Sequence, residues 1–399
     1  MNILLGITGG IAAYKAAEVA RLLTRQGHAV RCVLTEAGAR FITPLTLASL
    51  TGQPVFGANP DLGEWRANPV VEHIDLARWA DLVAVVPATA NSLGKTANGL
   101  AGDLLSTVLL ATRAPVLWAP AMNTAMWAHP AVQANVARLK AFGHSLIEPV
   151  EGLLACGEEG GGKLADVEAI VDAIHALGSP RHPALDGKKV LVTAGPTRED
   201  LDPVRTLTNR STGAMGIEMA RALRDAGAEV HLVLGGDGPV FPLYGLALTR
   251  IRSAADMLAA CEQLWPAMDG VVAAAAVADQ RPETCAPEKV KKGEGPERLT
   301  LVRTPDILAA LSDARRPGQW LVGFAAESEG HLENAAAKLT RKRLDAILAN
   351  DVARGQGFGE QENALTPVTS EGPHEAIGPL PKEGLARAAV AWWAGRLGR

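Results

Sequence analysis

The sequence predicts two α/β domains in tandem, each built on a doubly wound parallel sheet. Three observations predict it. Strands alternate with helical segments through both halves of the chain. The βαβ opening of the first half returns in the second. A polar Pro/Gly-rich stretch at 178–189, GSPRHPALDGKK, lies between them.

The first domain is expected over 1–177. Residues 2–7 (NILLGI) read as a short apolar strand that enters a Gly-rich turn. The helix that follows carries Ala16, Val19, Ala20 and Leu23 at the i, i+3, i+4, i+7 spacing of one buried face. Gly27 ends it, and the strand Ala29–Leu34 follows at once. Further strands are expected at Leu82–Val86, Pro115–Ala119 and Ser145–Glu148.

Residues 178–188 are expected to be a linker, with the second domain over 189–399. Residues 190–195 (VLVTAG) are again a strand entering a Gly turn, and the helix Gly216–Ala226, Gly227 and the strand Glu229–Leu234 follow. Ala20, Leu23, Gly27, Val30, Val33 and Leu34 recur as Ala220, Leu223, Gly227, Val230, Val233 and Leu234. Strands at Gly270–Ala275, Trp320–Ala325 and Asp345–Ala349 continue the alternation. Ligands of such sheets bind at the carboxyl ends of the strands, so the loops there are where chemistry is sought.

Composition narrows the function classes. The chain has 399 residues, 48% apolar and 21% charged, with a formal net charge of −4. That balance fits a soluble globular protein and gives no electrostatic reason to expect nucleic acid or an anionic membrane as partner. The N-terminal run is apolar but lacks a basic leading segment and is broken by Gly9-Gly10, so no signal peptide is expected. Val271–Ala278 is too short to span a bilayer. Cysteines 32, 156, 261 and 285 are far apart and form no CxxC or Cys/His pattern, which points to reduced thiols in a cytoplasm.

In the first half, Gly6-Ile7-Thr8-Gly9-Gly10-Ile11 joins strand to helix, where backbone N–H groups and a helix N-terminus suit an anion. It is not GxGxxG, and no acidic residue closes the second strand to hold a dinucleotide ribose. That strand ends with Thr35, a hydroxyl suited to phosphate, and the third with Pro87-Ala88-Thr89-Ala90-Asn91. Alone, these turns fit a bare structural connection as well as a mononucleotide site. Asn123, in Pro120-Ala121-Met122-Asn123, can hold a carboxylate or amide at the mouth after strand four. Cys156 sits among glycines in Leu153-Leu154-Ala155-Cys156-Gly157 and Glu158–Gly162, a poor setting for core packing and a good one for a mobile flap that brings a thiol to a ligand. Cys32 lies mid-strand and is read as core. His73, in VEHIDL, is a candidate base or donor only by its company.

GITGGIAAYKA, VEHIDLARWAD, PATAN, PAMN and LLACGEEGGGKL, in this order and spacing, resemble the flavin-dependent cysteine decarboxylases, phosphopantothenoylcysteine decarboxylase above all, over residues 1 to about 177. The resemblance implies a flavodoxin-like flavoprotein domain with FMN at the turns, contacted by Gly9, Gly10, Thr35, Thr89 and Asn91. It implies that His73 and Asn123 act at the substrate and that Cys156 donates a proton. Two positions depart from the family pattern: Gly102, where Asp is frequent, and Lys163, where Arg is usual.

In the second half, AGPTRE (194–199), LDPVR (201–205) and Asn209-Arg210-Ser211-Thr212-Gly213 precede one helix and offer another anion cradle. Ala273–Ala276, followed by Val277-Ala278-Asp279, end a strand made of very small residues against which a flat group can lie, and Asp279 suits a metal or a sugar hydroxyl. Lys289, Lys291 and Lys292 read as a solvated surface run or as a phosphate clamp. Phe324 suits base stacking, and Lys338 and Lys342 share a helix face at i, i+4.

AGPTRE, LDPVR, AAVAD, PEKVKK, TPDIL, GFAAE and LAND resemble, in family order, phosphopantothenate–cysteine ligase over about 189–399. The resemblance implies a Rossmann-like ligase domain. Nucleotide contacts fall on Ala273, Ala274, Ala275, Asp279, Lys289, the turn Pro305-Asp306-Ile307-Leu308, Phe324, Lys338 and Lys342, and Asn209 meets the acyl intermediate. Ala214 stands where the family often has Lys.

Together the resemblances imply a cytoplasmic bifunctional enzyme of coenzyme A biosynthesis. Its ligase half would activate 4′-phosphopantothenate with CTP and Mg²⁺, the ion near Asp279, with Lys289 as the main charge-stabilising residue, and join it to cysteine. Its decarboxylase half would use FMN to convert that product to 4′-phosphopantetheine. Decarboxylase trimers and ligase dimers are implied, hence a large homo-oligomer. A nicotinamide-dependent dehydrogenase is disfavoured by the missing GxGxxG and ribose acid. A regulatory flavoprotein would need neither Cys156 nor a second domain.

Overall fold

The apolar run at 2–7 is buried from both faces, which is what the centre of a parallel sheet requires. The computed structural model describes residues 1–57, 72–236, 238, 243–291, 293, 298–327, 330–351 and 362–397, with only the backbone of Glu327 and Asp351. Lys292 of the lysine run lies outside the described residues. The chain divides into two compact units, Met1–Ser179 with a short excursion ending at Tyr244, and the remainder from Pro180.

In the first unit the strands are β1 Asn2–Ile7, β2 Ala29–Leu34, β3 Val55–Phe56, β4 Leu82–Ala88, β5 Val116–Pro120 and β6 Ser145–Leu146. They form one parallel sheet in the order β3-β2-β1-β4-β5-β6. Without the two-residue β3 this is the flavodoxin-like order, and the chain changes direction across the sheet between β1 and β4. The helices are α1 Lys15–Arg25, α2 Pro44–Thr51, α3 Glu72–Trp79, α4 Ala90–Ala97, α5 Leu104–Ala111, α6 Thr124–Ala128, α7 Pro130–Ala141 and α8 Val167–Gly178. Alternate residues of each strand feed two cores. Ile3, Leu5, Ala84 and Val86 meet α1 and α8 through Leu23, Ile170 and Ile174. Leu4, Val83, Val85 and Trp118 meet α3, α4, α5 and α7 through Leu76, Leu93, Leu105 and Val136. The four residues assigned to the buried face of α1 are all fully buried.

Two features of this unit differ from the sequence reading. The strand expected at Ser145–Glu148 pairs only at Ser145–Leu146. The segment expected to be a loose Gly-rich flap is a hairpin of two antiparallel strands, β7 Val150–Leu153 and β8 Glu159–Lys163. The hairpin tolerates its glycines because they carry its close contacts. A Cβ at Gly162 would lie 2.3 Å from the Met122 carbonyl oxygen, and one at Gly160 2.7 Å from Thr124 Oγ1.

The second unit repeats the plan. Its strands and helices run β9 Lys189–Ala194, β10 Arg198–Asp200, β11 Thr206–Thr208, α9 Ala214–Asp225, β12 Glu229–Leu234, β13 Ala247–Arg250, α10 Ala254–Leu264, β14 Gly270–Ala273, β15 Gln280–Pro282, β16 Leu301–Arg303, α11 Ile307–Asp313, β17 Trp320–Glu327, α12 His331–Arg341, β18 Ala346–Asp351, β19 Asn363–Thr369, β20 Gly372–Pro373, β21 Ile377–Leu380 and α13 Lys382–Ala394. The main sheet follows β13-β12-β9-β14-β17-β18-β19-β20. Its first six strands are parallel, and β19 adds antiparallel to β18, with β20 and β21 on β19. The sheet is therefore mixed at one edge rather than parallel throughout. The helix α13 packs on α9. β14 stops at Ala273, short of Ala275, because the next residues are drawn aside by hydrogen bonds to Thr193, Gly195 and Thr197.

The stretch at 178–188 is anchored rather than free. Leu185 is fully buried, the His182 N–H donates to Ala226 O at 2.8 Å, and the Gly187 N–H donates to Gly227 O at 3.0 Å.

Candidate active sites

In the first unit, three turns meet at the carboxyl ends of β1, β2 and β4. The Thr8 hydroxyl donates to Pro87 O at 2.7 Å and accepts the Thr89 N–H at 3.2 Å, which staples the first turn to the third. Thr35 Oγ1 donates to Ile7 O at 3.1 Å and accepts the Gly38 N–H at 3.1 Å, which fixes the second. Gly9 must be glycine here, since a Cβ would lie 2.4 Å from that of Ala37. Gly10 caps the short helix Ile11–Tyr14, and Thr89 caps α4 by accepting the Ser92 N–H. A Cβ on Gly10 would approach only Thr89 Cγ2, at 3.8 Å. Two helix starts thus lie side by side at these turns, an arrangement that suits a phosphate. Asn91 lies in the first turn of α4 and is exposed. The turns around Gly9, Gly10, Thr35, Thr89 and Asn91 therefore come together. Thr8, which ties them, escaped the sequence reading because its role is set by a neighbour 81 residues away.

Asn123 and Cys156 are also brought together. Asn123 caps α6, with Oδ1 accepting the Ala125 N–H at 2.8 Å, so its amide nitrogen is turned outward. That nitrogen lies 3.6 Å from Cys156 Sγ and donates to Glu158 Oε2 at 2.6 Å. Cys156 is exposed in the turn between β7 and β8, which the Leu154 N–H closes on Glu158 O at 2.8 Å. The hairpin is moored to this site by the Met122 N–H, which donates to Gly162 O at 2.9 Å. His73 opens α3, half-buried, and makes no hydrogen bond to Asn123 or Cys156 among the described residues. Cys32 is inert in the core, where burial pushes its thiol up to about 12.

In the second unit the loop after β14 is held by side chains the sequence did not single out. The Thr193 hydroxyl accepts the Ala275 N–H at 3.4 Å, and Thr197 Oγ1 accepts the Ala278 N–H at 3.0 Å. Asn209 Nδ2 donates to the carbonyls of Ala276 and Val277 at 3.2 and 3.1 Å, so this residue does reach the alanine loop. Ala273, Ala274 and Ala275 are half-buried and Asp279 is exposed. Thr304 ties the segment before Pro305 to that loop, its N–H donating to Asp279 O at 3.1 Å.

The three lysines separate. Lys338 Nζ donates to Phe324 O at 2.8 Å. Lys342, just beyond the end of α12, bonds Asp306 Oδ1 at 2.7 Å. Asp306 also caps α11 through the Ala309 N–H; burial works to raise its carboxyl, but the Lys342 ammonium and that N–H outweigh it and hold it below the usual range. Lys289 is exposed on a segment pinned elsewhere. Its neighbour Val290 donates its N–H to Asp202 Oδ2 at 3.3 Å and accepts from Arg205 at 3.3 Å. Asp202 is buried, and the Arg205 guanidinium at 2.6 Å holds its carboxyl far below the ordinary carboxylate range. Among the described residues no cluster of three His, Cys, Asp or Glu side chains is arranged to hold a metal, and no helix of the described residues is long and apolar enough to cross a membrane.

The fold defines two α/β units in tandem, each built on a doubly wound sheet. Residues 1–179 match the flavoprotein family, and residues 185–395 match the C-terminal domain of the DNA/pantothenate metabolism flavoproteins. The chain is 45% identical over 373 residues to the coenzyme A biosynthesis bifunctional protein CoaBC of Bacillus subtilis (strain 168), covering 93% of this chain and 91% of that protein. It is 43% identical to the protein of the same name from Vibrio cholerae serotype O1 (strain ATCC 39315 / El Tor Inaba N16961), covering 98% and 96%. A crystal structure of the C-terminal domain of a CoaBC is similar at 36% identity and a TM-score of 0.46, covering 54% of this chain and 97% of that one. The chain belongs to the family of bifunctional coenzyme A biosynthesis proteins.

Proposed function

We propose that this chain catalyses two consecutive steps of coenzyme A biosynthesis: CTP-dependent ligation of 4′-phosphopantothenate to cysteine, then FMN-dependent decarboxylation of the product to 4′-phosphopantetheine. The observation that carries the reading is the pairing of the Asn123 amide with the Cys156 thiol at 3.6 Å, on a hairpin moored beside the strand ends.

In the second unit the carboxylate of 4′-phosphopantothenate attacks the α-phosphate of CTP and pyrophosphate leaves. Lys289 stabilises the charge that develops on phosphate, with Lys338 and Lys342 as further donors once they exchange Phe324 O and Asp306 for phosphate oxygens. The small side chains of Ala273–Ala275 and the ring of Phe324 leave room for the base, and the turn Pro305–Leu308 borders it. Asn209 holds the acyl intermediate while the cysteine amine displaces CMP. One exposed carboxylate, Asp279, fits Mg²⁺ carried in by the triphosphate, because that ion keeps most of its waters and takes only one or two protein carboxylates.

In the first unit the turns of Gly10 and Thr89, each at the start of a helix, offer backbone N–H groups to the phosphate of FMN. Gly9, Gly10, Thr35, Thr89 and Asn91 would hold the cofactor. Bound there, it supplies the two-electron acceptor and donor that the substrate thiol carbon requires. The Asn123 amide, held outward by its cap bond, receives the carboxylate of the substrate's cysteine end. His73 assists at that end of the substrate, and Cys156 delivers a proton to the carbon left after CO₂ departs. The protein works in the cytoplasm as a homo-oligomer, with trimers of the first unit and dimers of the second. The test is to incubate the full chain with 4′-phosphopantothenate, cysteine, CTP, Mg²⁺ and FMN. A new mass of 4′-phosphopantetheine is expected. Ligation product without CO₂ would remove the decarboxylase reading and leave the ligase.

A further inference from the structure

Asn123 has two amide N–H groups, and both are directed at one turn of the same chain. One meets Glu158 Oε2 at 2.6 Å, a charge-assisted distance, and the other faces Cys156 Sγ at 3.6 Å. The amide's orientation is set by its oxygen, which accepts the Ala125 N–H at 2.8 Å. The proposed chemistry uses the same amide to receive a substrate carboxylate. Glu158 is itself a carboxylate, two residues beyond the thiol. Its backbone carbonyl closes the turn on the Leu154 N–H, so side chain and turn move together.

We propose that Glu158 is an internal stand-in for the substrate carboxylate, a positioning residue that acts through Asn123. Without substrate it occupies the amide and seats the Cys156 turn on the site. Substrate binding displaces it, so the carboxylate-bearing substrate competes with Glu158, whereas the carboxyl-free product does not. The inference rests on the reading of Asn123 as the carboxylate receiver.

The test uses the FMN-loaded full chain and the variants Glu158→Gln and Glu158→Ala. For the substrate 4′-phosphopantothenoylcysteine, KM is expected to fall by about three- to ten-fold in Glu158→Ala and by less in Glu158→Gln, the scale of losing a charge-assisted competitor on one amide. The inhibition constant of 4′-phosphopantetheine is expected to stay within about two-fold, because that ligand has no carboxylate to place. A second readout needs neither turnover nor flavin. Iodoacetamide should label Cys156 faster in Glu158→Ala, with exposed Cys285 as the internal reference in the same peptide map. An unchanged or raised KM overturns the inference. So does a parallel shift of KM and the product's inhibition constant, which a purely structural loosening of the hairpin would give. If the wild-type holoenzyme releases no CO₂ from the substrate, the reading of the site fails and takes this inference with it. CO₂ release by wild type with no selective effect of the variants removes the inference alone.

Discussion

The two units start from the same βαβ opening and use the space above it differently. In the first, the turn after β1 is stapled by a side chain, Thr8 to Pro87 and Thr89, and a Cβ on Gly10 would meet only Thr89 Cγ2, at 3.8 Å. In the second, glycine backbones at the strand ends pack against one another and against Pro196. A Cβ on Gly195 would lie 2.0 Å from Gly235 O, one on Gly235 2.3 Å from Pro196 O, and one on Gly213 2.9 Å from Gly195 Cα. The nucleotide site proposed there lies instead at the alanines after β14 and the end of β17. The lesson is that a repeated opening predicts a repeated fold but not a repeated binding position. Which glycines are packed and which are open decides where a ligand can lie.

The sharpest way to break this comparison is at Lys289. If the second site works through charge stabilisation on the β14 side, Lys289→Gln should raise the barrier to acyl-nucleotide formation by roughly 2–4 kcal/mol. Pyrophosphate release from the ligase step reads this directly, and decarboxylation of supplied substrate should be unchanged. Pyrophosphate release at the wild-type rate would return the residue to the solvated surface.

A stability pair comes next. Gly195 has φ +78°, and the atom a Cβ would strike is backbone. Gly195→Ala should therefore cost at least about 2 kcal/mol, the sum of a left-handed conformation and a forced backbone shift. Gly10 is extended at φ −157°, with nothing nearer than 3.8 Å to an added Cβ. Gly10→Ala should change stability by less than about 1 kcal/mol and instead reduce FMN retention on gel filtration. Urea unfolding of the full-length variants measures the first effect, and the visible absorbance of the eluted protein the second. Equal stability losses would mean that the Gly10 space is packed after all.

The difference between the units also shows what the sequence could carry. Periodicity and the recurrence of Ala20, Leu23 and Gly27 as Ala220, Leu223 and Gly227 were enough to place the central parallel strands of both sheets. Ordered motifs located the turns, the Asn123 mouth and the thiol. What escaped was set by partners far along the chain. Thr8 gains its role from Thr89, Thr193 and Thr197 from the 274–278 loop, and Glu158 from Asn123. The antiparallel edge strand β19 was missed because its pairing with β18 leaves no local signature. The hairpin β7–β8 was read as a loose flap because glycine lowers strand propensity, while its fit depends on the absence of side chains against Met122 and Thr124.

Two aspartates give the finest comparison. Asp103 caps α5 by accepting the Ser106 N–H and binds Lys95 at 2.8 Å; Asp306 caps α11 and binds Lys342 at 2.7 Å. In both, burial works to raise the carboxyl, and the lysine with the cap N–H outweighs it, so the folded value lies below the ordinary 3.8. A carboxyl depressed by folding stabilises the protein above its unfolded value, and that contribution is lost as pH falls through the folded value. Asparagine caps a helix about as well as aspartate, so Asp103→Asn and Asp306→Asn remove the ion pair and keep the cap. Each should cost less than about 1 kcal/mol near neutral pH, because the pairs are partly solvated. The difference from wild type should disappear as pH falls below 3.8 towards the folded value. The two variants should then part in function. Asp103→Asn touches no proposed ligand contact and should leave both activities alone. Asp306→Asn releases the Lys342 ammonium from its present anion, so the KM for CTP should fall by about two- to five-fold, the worth of one exposed ion pair. If CTP binding is unchanged in Asp306→Asn while stability follows the expected pH course, Lys342 serves α11 as Lys95 serves α5, and it leaves the proposed nucleotide site.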